Sequence, residues 1–132
     1  MRTSELTGAA LDWAVATIEG YTELHRMENR WDHEPHLAMH PPRREYGVVE
    51  MWQLGFSTDW AAAGPIIERE KIGVWWATHY VDDEGQEYGN HWYAEDVNGD
   101  HVRVGPTPLI AAMRCYVAAH LGDEVEVPEE LE

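Results

Sequence analysis

The sequence predicts an α+β fold: a small antiparallel sheet of three or four strands with N- and C-terminal amphipathic helices packed on it. Three observations lead there. Apolar residues recur at helical spacing near both ends of the chain, the stretch from Ile72 to Gly105 is rich in Val, Trp and Tyr, and Asn98-Gly99 within that stretch is a type I′ hairpin signal.

The first helix is predicted over Thr7–Glu19. Leu6, Ala10, Trp13, Ala14 and Ile18 share one face, Ser4 or Thr7 can cap the start, and Gly20 follows where a left-handed residue ends a helix. From Tyr21 to Arg44 the periodicity fails among charges, four histidines and Pro35, Pro41 and Pro42, which predicts a long irregular excursion of the kind that is functional or mobile. Tyr46–Phe56 reads as extended. Ser57-Thr58-Asp59 offers cap side chains ahead of Trp60, and Pro65 suits the first turn of a short helix. Strands are predicted over Ile72–Val81, Tyr88–Val97 and Asp100–Gly105. The last helix has the plainest signature: Thr107 caps it, Pro108 sits in its first turn, Ile110, Met113, Val117 and Leu121 form one face, and Gly122 ends it. An acidic tail, Asp123–Glu132, follows. No repeat or linker divides the 132 residues, so a single domain is expected.

Charge narrows the choice of partners. The net charge is −16, and residues 72–132 hold 13 acids against 2 bases. Such a field opposes nucleic-acid phosphates, so direct nucleic-acid binding is disfavoured. Arg26, Arg30, Arg43 and Arg44 are the one basic cluster, and acids intersperse it. The apolar runs are too short for a membrane span, the N-terminus lacks a signal-peptide core, and the one cysteine, Cys115, cannot form an internal disulfide. These features predict a soluble protein of a reducing, cytoplasmic compartment.

No sequence motif names a chemistry. His33, His36 and His40, with Asp32 beside them, are candidate metal ligands, but Pro35 keeps the first two off a common helix face, so neither metal nor cofactor is expected. Ser57 has no visible base or oxyanion site, and the Gly-x-Ser-x-Gly turn is absent. Ser57, Thr58, Asp59, Trp60 and Glu68 are the candidate binding residues, with helix capping the leading role of the Ser57-Thr58-Asp59 turn. Trp75-Trp76 and Trp92-Tyr93 alternate across the predicted sheet, so half of them face outward and can form a partner surface. Cys115, among alanines, reads as a buried small hydrophobe.

Three segments carry a family resemblance: Ser4–Gly20, Ser57–Glu68 and Thr107–Val117. Together and in this order they resemble the NinX-like proteins of bacteriophages. The resemblance implies a phage or prophage origin and action in bacterial cytoplasm, and it brings across no catalytic residue or cofactor. The leading expectation is a non-catalytic accessory protein that binds a phage or host protein. A second reading is a small-molecule or metal-dependent activity, and a third is an acidic nucleic-acid mimic acting on a DNA-processing enzyme.

Overall fold

The computed structural model describes residues 1–28, 35–43, 45 and 47–132. Among them are three α-helices, α1 (Gly8–Ile18), α2 (Trp60–Glu70) and α3 (Pro108–Leu121). Six strands make two three-stranded antiparallel sheets: β1 (Thr22–Glu28), β2 (Pro35–His40) and β3 (Val49–Glu50) in one, β4 (Gly73–Val81), β5 (Glu87–Glu95) and β6 (Val102–Gly105) in the other. The class is α+β, as expected, with the strands shared between two sheets.

Helix α3 is the centre of the molecule. It packs on all three strands of the second sheet and also touches α1 and α2. That accounts for its composition: Ala111, Ala112, Met113, Cys115, Val117 and Ala118 are all essentially inaccessible, because neighbours cover most of its circumference and small side chains admit them closely. Burial of side chains the size of Met113 and Val117 contributes about 1.5–3 kcal/mol each. The Thr107 Oγ1 accepts from the Ile110 amide at 3.2 Å, and Gly122 (φ 87) ends the helix. Gly105 permits the approach of sheet and helix: a Cβ there would lie 2.6 Å from the Ala111 nitrogen. Helix α1 leans on α3 rather than spreading over a sheet, and its Leu11, Ala14 and Val15 are fully buried while Trp13 is half-buried.

The stretch expected to be irregular contains a hairpin. β1 and β2 pair from Thr22↔His40 to Glu28↔Pro35, with the register shifting between Thr22 and His25. β2 continues the sheet to β3 through Ala38↔Glu50 and Met39↔Val49. Extended backbone over Tyr46–Phe56 is likewise replaced by the short β3 and a 3-10 turn at Met51–Gln53, Tyr46 lying outside the described residues. Helix α2 starts at Trp60, so Pro65 falls inside it rather than in its first turn. Asp59 explains the early start: its carboxylate accepts from the Ala61 amide at 2.9 Å and pins the first turn.

The Asn98-Gly99 hairpin is wider than predicted. Only Gly99 takes a positive φ (75), whereas a type I′ turn requires it at both central residues. Asp96 organises the connection instead. Its Oδ1 accepts from the Asp100 and His101 amides at 2.8 and 3.2 Å, and its Oδ2 meets His101 Nδ1 at 2.9 Å. The acidic tail is also tied down: the Met1 ammonium donates to the Val125 carbonyl at 2.8 Å, the Thr3 amide donates to the Asp123 carbonyl at 2.8 Å, and Val127 is buried.

Candidate functional site

Glu19 at the end of α1, Arg69 in the last turn of α2 and Tyr116 on α3 converge on one polar knot. Arg69 makes a bidentate pair with Glu19 at 3.2 and 3.1 Å and donates to the Tyr116 hydroxyl at 3.0 Å. That hydroxyl donates to Glu19 Oε2 at 3.0 Å. The knot extends through Glu70, which lies 3.7 Å from Arg69 Nε and 3.0 Å from His120 Nε2, and the His120 ring stands edge-on to Tyr116. Burial, with Glu19 close by, raises the Tyr116 phenol well above its ordinary value. The hydroxyl is therefore a fixed neutral donor.

Beside the knot is a cleft of ≈ 260 Å³ walled by Glu70, Asp96, Asp100, His101, Cys115 and His120. Its chemistry is quiet. Burial pushes the Cys115 thiol up to about 12, with Asp96 adding to the effect, so no thiolate forms near neutrality. The Asp96 carboxyl is partly desolvated, yet the His101 side chain and the His101 and Asp100 amides outweigh that and hold it below its ordinary value. Both carboxylate oxygens of Asp96 thus serve the loop.

The five candidate binding residues do not gather in one groove. Ser57 is buried, its amide donating to Asp12 Oδ1 at 2.8 Å, and its hydroxyl meets no partner in hydrogen-bond geometry. Desolvation raises the Asp12 carboxyl, an effect only partly offset by the nearby Ser57 hydroxyl and amide. Ser57 has no base to activate it. Thr58, Asp59, Trp60 and Glu68 are exposed, but Asp59 caps one end of α2 while Glu68 lies on its last turn, about 13 Å along the axis.

The histidines are divided as well. His36 Nε2 contacts Glu50 Oε1 at 2.9 Å, whereas His40 faces His25 and Glu23 across the β1–β2 hairpin, and His33 lies outside the described residues. Glu23 and His25 escaped sequence reasoning. The signal available was the Glu-x-His spacing, meaningful only once a partner strand supplies His40.

Aromatic exposure is concentrated at two places. On the second sheet, Trp92 packs on the core, Trp76 stands edge-on to it at 5.5 Å with 48% of its surface exposed, and Trp75 meets Tyr93 at 4.5 Å. The larger exposures flank the turn between β3 and α2, at Trp52 (75%) and Trp60 (56%). Trp52 is held in place: its indole N–H donates to Glu50 Oε2, and the other oxygen of that carboxylate holds His36.

Helices converging on a central α3 beside two small antiparallel sheets define an α+β protein. The chain belongs to the family described as Bacteriophage P22, NinX, which it matches over residues 2–120. Comparison with curated proteins yields no match. Glu19 and Tyr116 lie in two of the three segments that carry the family resemblance, and Arg69 directly follows the third. No helix among the described residues is long and apolar enough to cross a membrane.

Proposed function

We infer that this phage-family protein is an accessory module of the bacterial cytoplasm that binds another protein and performs no chemistry of its own. The carrying observation is the pair of exposed tryptophans, Trp52 and Trp60, on either side of one turn. Large apolar rings left in water contribute most when a partner covers them, and they anchor best when already held in one orientation. The Glu50 carboxylate supplies that restraint for Trp52. Exposed Asp59 and Glu68, on a chain of net charge −16, suit a partner with a basic surface. The quiet Cys115 and base-free Ser57 favour binding over catalysis.

The test is affinity capture from phage-infected cells with wild type, Trp52→Ala, Trp60→Ala and Asp59→Asn, with Tm measured for each. A partner lost with either tryptophan at unchanged Tm, and eluted by salt, supports the reading. Equal recovery by all four proteins sinks it. Displacement of the captured protein by DNA would point to nucleic-acid mimicry instead.

A further inference from the structure

Glu23, His25 and His40 are the one group of three metal-ligating side chains among the described residues whose donor atoms converge. We propose that they form a surface site for a divalent transition cation of the zinc class, clipping β1 to β2. His25 Nε2 and His40 Nε2 are 3.2 Å apart, and Glu23 Oε2 lies 3.3 Å from His40 Nε2 and 3.6 Å from His25 Nε2. Donors about 2.0–2.1 Å from a tetrahedral ion are separated by about 3.3 Å, so this triangle has the dimensions of one face of such a polyhedron. Two imidazole nitrogens and a carboxylate oxygen are the donor types that zinc takes.

Hydrogen-bond accounting points the same way. Each Nε2 carries either one proton or one lone pair, so neutral rings bridge at most two of the three edges at once, either both pointing at Glu23 or one donating to the other. A cation at the centre satisfies all three donors together. The backbone is bent toward this arrangement: Glu23 holds a positive φ of 55, uncommon for a residue with a Cβ, and the strand register shifts between Thr22 and His25. That kink brings Glu23 and His25 of β1 to bear on His40 of β2. The His25 and Glu23 side chains are 46% and 49% exposed, so the remaining coordination position faces water and is available to a donor from outside the chain.

The experiment is zinc titration of the tag-free full chain by calorimetry, with Tm measured before and after addition of a chelator. One zinc per chain, a chelator-reversible rise in Tm, and affinity weakened by at least about 100-fold in His25→Ala and His40→Ala are expected, a larger loss than removal of an outer-shell partner gives. Glu23→Gln should weaken binding, and His36→Ala, which removes the partner of Glu50, should leave it unchanged. Cobalt(II) in place of zinc should give the visible absorption of a four-coordinate ion. Absence of saturable binding to wild type, binding that survives the double variant of His25 and His40, or equal loss in His36→Ala would each overturn the assignment.

Discussion

The Tyr116 hydroxyl donates to the Glu19 carboxylate at 3.0 Å across 97 residues of sequence, and Arg69 bonds to both. Tyr116 is almost fully buried, whereas the Arg69 side chain is half exposed. The buried member should therefore matter more than the salt bridge. Tyr116→Phe is expected to cost about 1–3 kcal/mol in denaturant unfolding, since it removes the bond donated to Glu19 and the one accepted from Arg69, both part-buried and both to charged partners. Arg69→Lys, which loses the bidentate geometry at a solvated position, is expected to cost less than about 1 kcal/mol. The reverse order would show that the ion pair, not the phenol, holds the knot.

Asp12 should give a pH dependence of definite sign. Its folded-state carboxyl is raised above the ordinary value, chiefly by desolvation. The native protein then keeps this proton in a range where the unfolded chain has lost it, so the Asp12 contribution to stability declines as pH rises through the folded value. Asp12→Asn can still accept from the Ser57 amide and has no charge to desolvate. It is expected to match or exceed wild type at pH 7 and to lose that advantage on acidification. Asp12→Ala leaves the Ser57 amide without its acceptor and should cost about 1–3 kcal/mol. Parallel stability curves for wild type and Asp12→Asn across the acid range would contradict the assignment.

Cys115 should resist thiol reagents in the folded protein. It is fully buried, and its thiol is pushed up to about 12. Labelling at pH 8 is expected only on unfolding, with a rate that tracks opening of the structure. Fast labelling of native protein would mean that the cleft beside α3 opens readily.

Asp59 allows capping to be separated from binding. Asp59→Ala should destabilise by about 1 kcal/mol, and Asp59→Asn should be nearly neutral, because both side chains accept from the Ala61 amide. A loss with Asn as large as with Ala would assign the effect to charge at the helix N-terminus rather than to the cap bond.

What the sequence made legible depended on how local the determinant was. α1 and α3 were readable because their apolar stripes and terminal glycines lie within a few residues of one another, and α3 adds its Thr107 cap, whereas Thr7 at the start of α1 makes no side-chain cap bond. The first sheet was not. β1 runs Thr-Glu-Leu-His-Arg-Met-Glu, and among its described side chains only the apolar Leu24 packs on the core, so no period-two pattern is there to be read. The start of α2 was hidden by Pro65, whose usual place in a first turn outweighed the Asp59 cap six residues earlier. At Asn98-Gly99 a local turn signal lost to the Asp96 side chain, which closes a larger loop. The polar knot and the histidine triangle were invisible for one shared reason: each joins elements whose adjacency is a product of the tertiary fold. In the Ser57–Glu68 segment the sequence marked Asp59 as a cap, but the length of one helix decides that Asp59 and Glu68 stand apart.

The central position of α3 has a consequence for the order in which the protein can be made. Its partners α1, α2 and the second sheet all leave the ribosome before it does, and each of them packs on it. Until residue 121 has emerged, Leu11, Val15 and Ile66 belong to a chain that cannot close its core, for the several seconds that synthesis at 5–20 residues per second takes. A nascent chain stalled before Pro108 should therefore remain protease-sensitive and recruit holding chaperones, and protection should appear abruptly, in one step, as the last helix clears the exit tunnel.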